Sequence, residues 1–137
     1  MTAWRAFVAL AVALIVGVPA ALSAQGPTLS VNDGNALLRE CGTALRAADD
    51  GPVLEENPVE RGVAMGQCLG VVAAVWHTHK LMVDAYGSRQ AFCPRDSLSA
   101  GQMARVVHTY LTEHVAELGQ WDTELALQAF VDAYPCG

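Results

Sequence analysis

Apolar residues recur at spacings of three and four along four stretches of the chain, and no run alternates apolar with polar for long, so the pattern predicts helices and no strands. From Gly34 to Ala48, residues Leu37, Leu38, Cys41, Ala44, Leu45 and Ala48 share a face that follows the capping candidates Asn32 and Asp33. Asp49-Asp50-Gly51-Pro52 then supplies turn chemistry, because glycine tolerates positive φ while proline fixes its own φ and restricts its neighbour. A second helix opens on Asn57-Pro58-Val59-Glu60, with a capping side chain, proline at the first helical position and glutamate at the third, and runs to Tyr86 with Gly87 as its C-cap. It is apolar nearly all round, which predicts a central element with neighbours on most sides. Ser99 with Gln102 three residues on marks the start of a third helix, which turns Met103, Val106, Val107, Tyr110, Leu111 and His114 to one side. A fourth, capped by Asp122 or Thr123, points Leu127, Phe130, Val131 and Tyr134 inward and stops at Pro135. The fold class that follows is all-α, a small bundle of about four helices.

Gly62, Gly66, Gly70 and Ala74 repeat every fourth residue along the second helix. Each glycine there costs about 1 kcal/mol of helix propensity relative to alanine, so something must offset it. The simplest explanation is the close approach of another backbone, either within the domain or across a homodimer interface. The bland alternative is a bent helix with scattered glycines.

Ahead of these helices lies Arg5, an apolar run from Ala6 to Val18, Pro19, and small residues up to Ala24. These are the three regions of a secretory signal, with cleavage expected after Ser23 or Ala24. The run is shorter than the roughly 20 residues that cross a bilayer, and no later stretch is both long and uncharged enough to do so. Residues 1–24 are thus expected to be removed, leaving a single domain over 25–137 in the periplasm with no membrane span. Loss of Arg5 takes the net charge from −6 to −7. So acidic a domain is a poor candidate for nucleic acid, where lysine and arginine must replace phosphate counterions.

Cys41, Cys68, Cys93 and Cys136 all follow the signal, so they are expected to oxidise to two disulfides. Chain geometry ranks the three pairings. Eighteen helical residues carry Cys68 about 27 Å from Tyr86, and the seven that lead back to Cys93 span at most about 24 Å, which disfavours Cys68 with Cys93. In an antiparallel hairpin Cys41 and Cys68 lie at matching heights, and Cys93 and Cys136 finish at one end of the bundle. The pairs Cys41–Cys68 and Cys93–Cys136 rank first, with Cys41–Cys93 and Cys68–Cys136 second. No paired C-x-x-C spacing suggests zinc, and none of the cysteines has the positioned base of a nucleophile.

Other chemistry is sparse. His77 and His79 stand two apart on a helix and diverge, and His108 and His114 are six apart, so neither pair has the four-residue spacing of a helical metal site. Asp84 and Glu113 lack an evident partner for acid–base work, and there is no phosphate loop or serine elbow. Nothing calls for a cofactor or a metal, and the chain reads as a binding protein rather than an enzyme.

In order, the chain carries GNALLREC (34–41), GQCLGVVAAV (66–75), FCPRDSLSAGQMARVVHTYLTEH (92–114) and AYPC (133–136). This succession resembles the Rap1a/Tai family of immunity proteins over nearly all of the mature chain. It departs from the family pattern at Val71, Val115 and Tyr134. The resemblance implies a small helical periplasmic protein, often dimeric, that binds a peptidoglycan amidase delivered by type VI secretion, blocks its active site and so protects the producing cell. Two loops are the candidate contacts: Asp49 to Glu56, with Glu55 and Glu56, and Gly87 to Leu98, with Arg89, Arg95 and Asp96. A rival reading is a periplasmic acid-stress chaperone, in which protonation of many carboxylates would release apolar surface for unfolded clients.

Overall fold

The computed structural model describes residues 32–49, 57–94 and 97–137. Within them the chain forms α1 (Gly34–Asp49), α2 (Pro58–Tyr86), α3 (Ala100–Glu113), a 3₁₀ turn (Val115–Glu117) and α4 (Asp122–Ala133), with no strand among the described residues. The expected signal segment, 1–24, lies outside them, as do Glu55, Glu56, Arg95 and Asp96.

α1, α2 and α3 each start where the sequence provides side-chain partners for the orphan amides of the first turn. Asp33 Oδ1 accepts the Ala36 N–H at 3.0 Å, and Asn57 Oδ1 accepts the Val59 N–H at 3.0 Å ahead of Pro58. Ser99 and Gln102 form the reciprocal capping box, with Gln102 Oε1 accepting the Ser99 N–H at 2.8 Å and Ser99 Oγ the Gln102 N–H at 3.3 Å. α2 ends as expected on Gly87, at φ 63°, whose N–H reaches Val83 O while Ser88 N–H reaches Met82 O. α4 departs from expectation. Its cap position is Trp121, which makes no side-chain cap bond, and the helix begins at Asp122.

One core joins the four helices: Leu37 and Cys41 from α1, Cys68 and Val72 from α2, Phe92 from the connector, Val107 and Leu111 from α3, Leu125 and Phe130 from α4. At one side Trp76, Phe92 and Phe130 cluster with ring centroids 5.2–5.7 Å apart. The inward face of α4 is rotated from the expected one. Leu125, Ala126, Ala129 and Phe130 are buried, Val131 and Tyr134 are half-buried, and Leu127 is exposed. Beginning the helix one residue early and packing it on small residues shifts the buried stripe toward Leu125.

The expected place of α2 also needs correction. It touches the other three helices, yet only Cys68 and Val72 are fully buried, and Val59 (70% exposed), Val63, Leu81, Met82 and Tyr86 (72%) face out. An apolar sequence all round does not require neighbours all round; three shorter helices cover one side of a rod about 43 Å long. Nor does any backbone among the described residues approach the glycine stripe: a Cβ built at Gly62, Gly66 or Gly70 meets nothing described within 4 Å. The close approach instead occurs at Gly34. A Cβ there would run into Leu125 Cδ1 and come 3.0 Å from both Cα and O of Leu118. Backbone bonds from Gly34 N–H to Gln120 O (3.0 Å) and from Asn35 N–H to Leu118 O (3.2 Å) draw the start of α1 against the α3–α4 link, and the Asn35 side chain adds a second donor to Leu118 O at 3.0 Å.

Both disulfides have the first-ranked pairing, Cys41–Cys68 across α1 and α2 and Cys93–Cys136 from the connector to the C-terminal segment, and no described cysteine is free.

Candidate partner-binding surface

The connector after α2 is fixed at both ends. The glycine cap holds its start, while at its far end Phe92 is buried, Cys93 N–H donates to Tyr134 O at 2.8 Å and the Cys93–Cys136 disulfide adds a covalent link. Between these posts the Ala91 N–H donates to His79 Nε2 at 3.0 Å, and the His79 ring stacks on Phe92 at 3.9 Å between centroids. A ring nitrogen that accepts this bond carries no proton, so the bond fixes the neutral Nδ1–H form of His79. Burial holds the imidazole below its ordinary value, in the same direction.

Two grooves flank His79. The first, about 320 Å³, runs between α2 and the connector past Trp76, Lys80, Asp84, Gln90 and Leu98. The second, about 510 Å³ and mostly apolar, lies between α2 and α4 and is bordered by Val75, Met82, Ala91 and Leu127, with Glu124 at its edge. Asp84 is paired with Lys80 at 2.8 Å on exposed helix surface, a geometry worth a few tenths of a kcal/mol and no sign of acid–base chemistry.

Of the proposed contacts, Arg89 is exposed on the pinned connector. Arg95, Asp96, Glu55 and Glu56 fall outside the described residues, so the two loops are not seen to converge. Asp49, at the edge of the first loop, pairs with Arg105 of α3, which joins the end of α1 to the bundle. The contribution of His79 was not legible in the sequence. Its partner is a backbone amide twelve residues on, and no side-chain motif marks such a bond.

Elsewhere on the surface, Trp121 (65% exposed) and Val115 are uncovered. Tyr110, raised above its ordinary value chiefly by burial, donates to Glu117 at 3.2 Å and stacks on His114. A shallow groove between α1 and α2 contains Glu40, whose Oε2 is buried without a hydrogen-bond partner and whose carboxyl is raised by desolvation, with Asp122 adding and Arg39 opposing. No group of three or more His, Cys, Asp or Glu side chains among the described residues could hold a metal ion. Nor is any described helix long and apolar enough to cross a membrane.

The surface thus offers grooves and exposed apolar side chains, an arrangement suited to recognition of another protein. No curated protein and no solved structure matches the chain significantly. A family model does match, and its span of residues 33–136 includes all four helices and both disulfides: the chain belongs to the Rap1a immunity proteins.

Proposed function

We propose that this immunity protein is exported to the periplasm by its N-terminal signal and there binds and inhibits a peptidoglycan amidase delivered by type VI secretion, protecting the cell that makes it. The observation that carries the reading is the family match over residues 33–136, which identifies an immunity protein directed at a secreted effector. Two disulfides support an oxidising compartment, since such bonds persist where thiols are not kept reduced. Proteins of this family act by binding, and inhibition requires only that the bound domain occlude the effector's cleft. The pinned connector with Arg89, next to the two grooves at His79, is the favoured contact, because a preordered segment loses little conformational freedom on docking.

A second copy of the chain is proposed for the open face of α2. Exposed Val59 and Val63 lie along it, and the unobstructed glycines would let two helices approach closely. Sedimentation of the mature protein at micromolar concentration is expected to show a dimer that Gly66→Leu separates into folded monomers.

The test of the main proposal is titration of the purified mature protein against the amidase encoded nearest to it, reading both binding and peptidoglycan hydrolysis. Stoichiometric inhibition is expected, with Arg89→Glu weakening it at least tenfold. Neither binding nor inhibition at micromolar concentration would remove the proposal. Suppression of client aggregation at low pH, read by light scattering, would favour the acid-chaperone reading instead.

A further inference from the structure

His79 occupies an unusual position among the four histidines of the chain, since its ring nitrogen is the acceptor for a main-chain amide of the segment that the proposed function places against the partner. Between the Gly87 cap and buried Phe92, the connector carries Ser88, Arg89, Gln90 and Ala91. Within that stretch, the hydrogen bond from Ala91 N–H to His79 Nε2, at 3.0 Å, ties the backbone to α2. Apart from the cap, where Ser88 N–H reaches Met82 O, the described contacts of the stretch are between Gln90 and the proton-free disulfide sulfurs, with Gln90 O 3.9 Å from Cys136 Sγ and Gln90 Oε1 3.5 Å from Cys93 Sγ. Both ends of the segment are fixed independently, one by the αL glycine and one by the disulfide, so losing the middle tie would free these residues without unfolding the domain.

We propose that His79 is a proton-operated latch that sets how Arg89 and its neighbours are presented to the partner: neutral, it holds the segment closed; protonated, it releases it. The chemistry is a change of role at one atom. With a proton on Nε2 the nitrogen becomes a donor facing the Ala91 donor, and the bond is replaced by repulsion between two N–H groups. A charged ring would also have to remain stacked on Phe92 with one side turned away from water. Proton binding therefore favours the open segment, in which the ring is hydrated.

The surrounding charges do not cancel this preference. On α2 itself, Lys80 and Asp84 face the first groove and are paired with each other. From α4, Glu124 stands at the second groove, and its negative charge favours the protonated ring. The connector contributes neutral groups there, Gln90 and Phe92. Burial dominates the balance and keeps the imidazole below its ordinary value. The sign follows from linkage: the closed form binds the proton less well than the open form, so closure is complete above about pH 6.5 and is lost as pH falls below it. This inference rests on the proposed contact of the connector with an amidase, although the latch itself is a property of the isolated domain.

The experiment uses mature, oxidised protein labelled with ¹⁵N and ¹³C. Long-range proton–nitrogen correlation at pH 8 is expected to show the Nδ1–H tautomer at His79, with a titration midpoint lower than that of histidine in an unstructured peptide. The hydrogen-exchange protection factor of Ala91 should drop at least tenfold through the same titration. In His79→Gln, whose amide oxygen can accept the bond and cannot titrate, Ala91 should stay protected across the range. In His79→Phe, which keeps the ring stack, Ala91 should be unprotected at every pH. An Nε2–H tautomer, or Ala91 protection indifferent to the titration, would overturn the latch. Binding of the neighbouring amidase at pH 8 and pH 5.5 then tests the consequence: wild type is expected to weaken at least fivefold at the lower pH relative to His79→Gln. Equal weakening of both would overturn control of binding by the latch. An amidase that binds neither protein at either pH defeats both the proposed function and that control, while the tautomer and exchange data judge the latch by themselves.

Discussion

The two disulfides restrict the unfolded chain to similar extents, yet removing them should have unequal consequences. In the chain-entropy account, a cross-link across 27 residues restricts the unfolded chain by about 3.6 kcal/mol at 25 °C and one across 43 residues by about 4.0 kcal/mol. Loop length alone therefore makes Cys93–Cys136 slightly the more stabilising. Burial reverses the order. Cys41 and Cys68 are both fully buried in the core between α1 and α2, whereas Cys93 is half-buried and Cys136 is exposed. Each replacement by alanine in the interior deletes a methyl-sized group and leaves a void, at about 1 kcal/mol per site, while the same change at Cys136 deletes nothing from the core. Cys41→Ala with Cys68→Ala should thus cost about 5–6 kcal/mol and Cys93→Ala with Cys136→Ala about 4 kcal/mol, against a total of about 5–15 kcal/mol for a domain of this size. Urea titrations of both double variants and the wild type, followed by far-UV circular dichroism, measure the order. The inner pair should leave the protein near or past its unfolding midpoint in water, and the outer pair should leave it folded with a lower midpoint. An outer-pair variant at least as destabilised as the inner-pair variant would refute the dominance of burial over loop length.

Three other perturbations test the fold and its electrostatics. Gly34→Ala should destabilise by about 2 kcal/mol or more, because the new methyl meets backbone at Leu118, whereas Gly70→Ala, in open space on a helix, should stabilise the monomer by about 0.5–1 kcal/mol; denaturation midpoints that fail to move in opposite directions would contradict the packing described. Phe130→Ala removes a fully buried ring from the cluster with Trp76 and Phe92 and should cost about 3–5 kcal/mol, with a red shift of tryptophan emission as Trp76 gains water. Glu40, raised by desolvation, binds its proton more tightly folded than unfolded, so its carboxylate opposes folding at neutral pH and ceases to do so as pH falls toward 4; Glu40→Gln should be more stable than wild type at pH 7, by less than about 1 kcal/mol after solvent screening, and equal to it at pH 4 by urea titration.

Helix boundaries other than the start of α4 were legible because local chemistry decides them. Asn57-Pro58, the Ser99–Gln102 box and Gly87 each satisfy or tolerate orphan groups within a few residues of their own position, and no tertiary contact is needed to read them. The disulfide pairing was legible for a related reason, since helix rise and the length of a short connector constrain distance before any packing is known. The orientation of the faces was less so. Leu125 and Leu127 are both good core residues on α4, and the choice between them depends on how the helix is turned against Gly34 and Leu118, contacts more than 80 residues apart in the chain for Gly34. Likewise a helix without amphipathic pattern, such as α2, gives no indication of which side will be covered, and its length against three shorter partners leaves one side open.

The position of the second disulfide bears on how such a domain could inhibit an enzyme. Cys41–Cys68 lies inside the core, where it fixes α1 on α2; Cys93–Cys136 joins two segments that lie outside the helices, directly beside the connector with Arg89. A link at that place adds little to core packing, but it removes freedom from a segment that would otherwise be held by one buried ring and a few hydrogen bonds. A binding segment that is already ordered loses less conformational entropy on docking, typically about 0.5–1.5 kcal/mol for each rotamer-rich side chain kept in place, so the outer bond should affect affinity more than its contribution to packing suggests. Reduction should separate the two effects in the same molecule. Cys136 is an exposed residue while Cys41 and Cys68 are fully buried, so mild reductant should open Cys93–Cys136 first, leaving helicity intact while binding weakens. Intact binding by protein reduced only at that bond would show that the bond serves stability alone.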